Sequence, residues 1–231
     1  MRLALLATLA LFITTATSTA DAANWPNWRG PTQNGVSTDK GIPAEFGPGK
    51  NVAWKVKLPG PGGASPVVWD DQVYVTSVEE QKLLLQAWST AGKLKWQQQV
   101  GTGNKVVRRD EGNSASPSPV TDGKHVWAMM ANGEIACYTV AGKLAWKRDL
   151  RPAYGPFKIA FGLTASLVLE DGKIILQLIH GSRQAKPEED QGLLVALDAA
   201  TGKEAWKQVR TSDAYDENKH SYTSPFIYND G

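Results

Sequence analysis

The sequence predicts an all-β fold, a β-propeller of four-stranded antiparallel blades, with about three and a half blades present. Three observations predict it. A cassette recurs at residues 86–96, 136–146 and 196–206, with Gly-Lys and Trp at the same offset in each copy. A short Ser-containing β run recurs between cassettes, at 64–68, 116–120, 165–168 and 223–227. No long stretch carries a helical period, which argues against a helical solenoid or a doubly wound sheet. Self-similarity every 50 to 60 residues is the mark of a repeat architecture.

From the N-terminus, residues 1–22 read as a secretory signal peptide. Arg2 supplies the positive start, Leu3 to Ile13 an apolar core, and Ala20-Asp21-Ala22 a small-residue cleavage site. The apolar core is well short of the roughly 20 residues a spanning helix needs. No other membrane-spanning candidate follows, and no Cys near the cleavage site offers a lipid anchor. Residues 23–63 form an N-terminal segment. Within it Trp54-Lys55-Val56-Lys57-Leu58 reads as a Trp-bearing outer strand with no blade upstream of it.

The partial propeller spans 64–231, with blades at about 65–100, 117–150 and 163–210 and the start of a fourth at 222–231. Each blade opens on the Ser-containing run, turns at Asp70-Asp71, Asp122-Gly123 or Asp171-Gly172, and returns as a second β run. A third, apolar strand then enters the cassette. Gly92, Gly142 and Gly202 sit where a hairpin demands φ > 0. The last strand carries Trp96, Trp146 or Trp206. A Trp at a fixed place in every unit is a packing device, expected to dock on the neighbouring unit and offer its N–H to backbone near that unit's Gly. A propeller closes with roughly four to eight blades, so the chain is expected to be part of a longer ring, with the 54–58 strand a solitary edge.

Composition narrows the function classes. The net charge is +2, and removal of residues 1–22 takes one charge of each sign. A balance so near neutral speaks against nucleic acid or an acidic membrane as partner. The single Cys137 lies in an apolar run and reads as buried and inert, so no internal disulfide forms. There is no G-x-S-x-G elbow, P-loop or G-x-G-x-x-G. His125, His180 and His220 are far apart, and Asp213, Asp216, Glu217 and Asn218 fit no calcium-loop template.

Three long connections, 101–115, 151–162 and 210–222, each join a cassette strand to the next blade's first strand and so share one face. That face is the candidate ligand surface. Arg108, Arg109, Asn113, Lys158, His220 and Tyr222 would give it a polar, partly aromatic, anion-friendly character. The competing reading is that these charged loop residues are simply solvated. Tyr154, Phe157, Phe161 and Tyr222 could stack on sugar faces or serve as blade packing, and the sequence leaves both open. The polar loop at 180–192 reads as an exposed hairpin excursion.

The pattern A-x-D-x-x-T-G-x-x-x-W, met in full by Ala196, Asp198, Thr201, Gly202 and Trp206, resembles the repeat of PQQ-like (pyrroloquinoline quinone) β-propellers. Trp88 and Tyr138 replace the Asp in the other two copies. Trp25-Pro26-Asn27-Trp28-Arg29-Gly30-Pro31 also resembles exported members of that family. The family includes quinoprotein dehydrogenases and the non-enzymatic propeller of the outer-membrane assembly machine. The resemblance implies that the 54–58 strand completes the last blade of a closed ring. For the enzymes it implies a quinone on a Trp floor with calcium, a catalytic Asp and often a vicinal disulfide. With one Cys, that disulfide is absent from the residues given, and no motif places a catalytic residue. The residues themselves point to no cofactor and no metal site; PQQ with calcium enters through the resemblance alone. The reading is an exported, periplasmic or extracellular module that binds a protein or small ligand through its loop face without chemistry of its own. The alternative is a PQQ-dependent oxidoreductase of alcohols or sugars.

Overall fold

The short apolar runs that end in turn signals form strands, and the strands collect in fours. The computed structural model describes residues 23–107, 112–157, 162–179, 192–214 and 221–228. The first sheet holds β1 (Val67–Trp69), β2 (Gln72–Glu79), β3 (Lys82–Ser89) and β4 (Leu94–Thr102). The second holds β5 (Val120–Thr121), β6 (His125–Met129), β7 (Glu134–Thr139) and β8 (Leu144–Asp149). One helical turn, α1 (Arg151–Tyr154), follows. The third sheet holds β9 (Val168–Glu170), β10 (Lys173–Leu178), β11 (Gly192–Asp198) and β12 (Glu204–Arg210). Every neighbouring pair is antiparallel and sequential, so each sheet is a meander, the form of a propeller blade. Among the described residues no helix is long and apolar enough to cross a membrane.

The blades stack face to face, and the period of two along each strand sorts the side chains between neighbours. On β6 and just beyond it, Val126, Ala128 and Met130 face blade one, where they join Leu83, Leu85 and Ala87. Trp127 and Met129 point the other way, into a cluster with Leu176, Leu178, Val195 and Leu197 of blade three. Both faces of blade two are therefore buried, which explains its almost unbroken apolar strands. A fully buried Leu or Ile contributes about 1.5–3 kcal/mol over leaving it in water.

A bulge recurs in all three cassettes at one place. Ala87 pairs with Trp96 and Trp88 with Leu94; Cys137 pairs with Trp146 and Tyr138 with Leu144; Ala196 pairs with Trp206 and Leu197 with Glu204. Lys95, Ala145 and Ala205 are thus the extra residues, and the added twist comes just before the Trp. Trp96 Nε1 donates to Val140 O (2.9 Å) and Trp146 Nε1 to Ala199 O (2.8 Å), each in the following blade. The rings cover Gly142 and Gly202, where φ is +84° and +69°. A Cβ on either glycine would fall 2.7 Å from the ring, so these positions forbid a side chain for two independent reasons.

Two parts of the chain lack strands expected from the sequence. Residues 52–58 form no ladder, yet Trp54 lies over Gly92 and donates to Thr90 O (2.6 Å), as the strand-borne Trp residues do one blade on. Of residues 222–231, read as the opening of a fourth blade, the described 222–228 also form no strand, having no ladder partner among the described residues. The N-terminal segment makes the reverse departure. Trp25 forms an antiparallel bridge with Val68 on the free edge of β1. Thr121 N donates to Pro26 O (3.0 Å), and Ile227 N to Gln33 Oε1 (3.2 Å).

Candidate functional site

The first strands of successive blades meet one another around the axis, and their Ser residues form a ladder there. Ser65 N donates to Ser118 Oγ (2.9 Å), Ser118 N to Ser166 Oγ (3.1 Å) and Ser166 N to Ser224 Oγ (2.8 Å). Each link spans one blade. A hydroxyl that accepts an N–H keeps its own proton free to donate. In each link the recurrent Ser hydroxyl satisfies a backbone N–H of the preceding blade.

Above this ladder lies a cavity of about 630 Å³. Ser65, Ser118, Ser166 and Ser224 line its wall with Ser116, Thr164 and Thr223; Trp28, Arg29, Tyr222 and Phe226 complete it. It opens at the start of the first strands, the end served by the three long connections. The Arg29 guanidinium sits 5.4 Å from the centre of the Trp28 ring, a cation–π distance, and Nη2 donates to Asn34 O (3.1 Å). Ser116 Oγ donates to Asn113 O (2.7 Å). Among the described residues the lining is thus rich in donors, carries one cation and has no carboxylate. Such a surface suits a ligand that presents acceptors or negative charge.

Charged groups at the outer strands of blades two and three are paired with one another. Arg151 at the start of α1 grips Asp149 through Nε (2.8 Å) and Nη2 (2.8 Å), and this pairing holds the Asp149 carboxyl below its ordinary value. Tyr154 is buried and donates to Glu204 Oε2 (2.6 Å); burial, then that carboxylate, pushes its phenol up. Tyr154 therefore packs between blades rather than offering a ring to a sugar. Phe157 covers Gly133, so close that a Cβ there would lie 2.1 Å from its ring.

Of the residues the sequence singles out for the ligand face, Asn113 and Tyr222 are described. Asn113 accepts the Ala115 N–H on Oδ1 (2.9 Å) and holds Ser116, and so shapes the wall. Tyr222 lines the cavity and packs against the core shared by blades two and three. Arg108, Arg109, Lys158, Phe161, His180 and His220 lie outside the described residues, as do Asp216, Glu217 and Asn218 and the leader. Among the described residues no cluster of three metal-ligating side chains occurs. Sequence reasoning did not assign Trp28, Arg29 or the Ser ladder to the site. The signal for the ladder was present as the recurring Ser, but its meaning depends on the axis.

The Asp of the full cassette pattern has a visible part. Thr201 N and Oγ1 donate to Asp198 Oδ1 (2.8 and 2.6 Å), which lowers its carboxyl from the ordinary value. Where Trp88 and Tyr138 replace Asp, the next residue takes over: Ser89 Oγ and Thr139 Oγ1 accept the N–H of Lys93 (3.1 Å) and Lys143 (3.2 Å).

With this geometry in view, three relatives can be placed. The chain is 27% identical over 199 residues to a polyvinylalcohol dehydrogenase of a Pseudomonas species, a match spanning 81% of this chain and 29% of the relative. The fold is similar to quinohemoprotein alcohol dehydrogenase from Comamonas testosteroni, with TM-score 0.57, 21% identity and coverage of 83% of this chain and 28% of that one. BamB from Moraxella catarrhalis is similar at TM-score 0.42 and 17% identity, over 67% of this chain and 41% of that one. The chain thus spans less than a third of the length of both dehydrogenases. The family described as outer membrane protein assembly factor BamB matches residues 47–153 and 131–229, nearly everything after the N-terminal segment. The chain belongs to this family of PQQ-like β-propellers.

Proposed function

We propose that this chain is part of an exported propeller that binds a protein or small ligand at its loop face without carrying out chemistry there. The observation that supports it best is the cavity at the mouth of the axis, whose described lining is rich in donors and holds no carboxylate. General acid–base work needs a titratable group within reach of the substrate, and the described lining offers only hydroxyls and a guanidinium. Arg108, Arg109, Lys158 and His220 would extend the cation supply of this face, with Asn113 and Tyr222 fixing its wall. The family's namesake is an assembly factor, which fits a binding role for this chain too. A carboxylated ligand such as citrate, followed by tryptophan fluorescence, is expected to bind. Arg29→Ala should weaken it by about tenfold, since hydrogen bonds to charged groups contribute roughly 1.5–3 kcal/mol.

A second reading follows from the match to a polyvinylalcohol dehydrogenase and from Trp28 at the cavity. It is a PQQ-dependent oxidoreductase of alcohols or sugars. The described lining does not fit a quinone held with calcium, because it gives a divalent cation no carboxylate, and hard cations bind through such oxygens. Any such ligands would have to come from outside the described residues. Calorimetric titration of the full-length mature protein with pyrroloquinoline quinone and Ca²⁺ separates the readings. The binding role expects no heat and no quinone-dependent dye reduction. Tight one-to-one binding would overturn it in favour of the enzyme.

A further inference from the structure

We propose that cleavage between Ala22 and Ala23 installs the N-terminal segment as a strap across the inner edges of the blades, with the freed α-ammonium of Ala23 closing on the Asp39 carboxylate. From Ala23 onward the segment is engaged at a series of points. Ala23 N lies 3.0 Å from Asp39 Oδ1. Asn24 Oδ1 accepts the Asp70 N–H (2.7 Å) at the β1–β2 turn. Trp25 bridges Val68, Pro26 O accepts from Thr121, and Gln33 reaches Ile227. The Trp25 ring folds back over buried Gly30, where φ is +77° and a Cβ would fall 2.7 Å away. The strap therefore touches blade one, blade two and the segment beyond blade three. None of this depends on what the loop face binds.

The chemistry is hydrolysis by a leader peptidase with water as co-reactant. The amide C–N bond breaks, the water oxygen goes to the Ala22 carbonyl carbon, which leaves as carboxylate, and the Ala23 nitrogen leaves as an ammonium. As an amide, Ala23 offers Asp39 a single neutral N–H. As an ammonium it offers three donors and a full charge, and a charge-assisted bond is roughly twice as strong as a neutral one. A free α-amine has pKa about 7.7–8.0, and pairing with a carboxylate favours its protonated, non-nucleophilic form, about tenfold for each pKa unit.

The test uses the full-length protein secreted with its own leader. Intact mass and N-terminal sequencing are expected to place the mature start at Ala23. Acylation of that α-amine at pH 7 should be slow, about tenfold faster in Asp39→Asn, and slow again in Asp39→Glu, which keeps the charge. Should Asp39→Asn fail to fold, Asp39→Glu against the parent at raised salt reads the same pair, and faster acylation in salt is expected for both. A mature start elsewhere, or an Ala23 amine acylated equally fast in Asp39→Asn, Asp39→Glu and the parent, would sink the proposal.

Discussion

Gly142 and Gly202 carry the ring of the preceding blade's Trp directly on their Cα. Substituting Ala adds the left-handed cost of about 1–2 kcal/mol and an overpacking cost of about 1–3 kcal/mol. Gly142→Ala should therefore lower stability by about 2–5 kcal/mol in denaturant titration. Gly172→Ala is the matched control: φ is +68° but nothing lies within 4 Å, so only the conformational cost of about 1–2 kcal/mol is expected. If both substitutions cost the same, the ring contact contributes nothing. Cys137 gives a second test at this scale. Burial pushes its thiol up to about 12 from 9.0, which cuts the thiolate about a thousandfold. A disulfide reagent at pH 8 should leave it untouched until the blade interface opens, and rapid labelling of the native protein would contradict the described burial.

At the scale of the element, the cassette turn has two solutions. Blade three braces it with Asp198, and blades one and two with Ser89 and Thr139. Only the first depends on pH. Because the Thr201 hydrogen bonds hold the Asp198 carboxyl low, its contribution is full above the ordinary value of 3.8 and is lost as pH falls through the folded value below it. Asp198→Asn should flatten that part of the acid limb of the stability profile, while Thr139→Ala should leave its shape unchanged. The ladder between blades makes a sharper claim. Ser166→Ala strips the acceptor from the buried Ser118 N–H, a loss of about 1–3 kcal/mol in a chemical melt. A change under a few tenths would mean that another group satisfies that N–H.

For the whole molecule, the blades were legible because a repeat states the same instruction three times. Turn residues, apolar runs and Trp spacing agreed, and such agreement across levels is what a single fold requires. The bulges were not legible, since the extra residues Lys95, Ala145 and Ala205 share no chemistry. Nor was the strap, which among the described residues pairs with the blades' strands through one bridge, far along the chain. The site was half legible. The loop face followed from chain order, but Arg29 and Trp28 come from a segment that sequence placed outside the blades, and several loop residues lie outside the described ones.

The Ser ladder also has a direction: each blade lends its hydroxyl backwards and its N–H forwards. A head-to-tail relation of this kind has no privileged first member. New termini cut into any long connection would leave every link intact, so the gene encoding such a ring could be circularly permuted, or lengthened by duplicating one unit, without redesigning a contact at its centre.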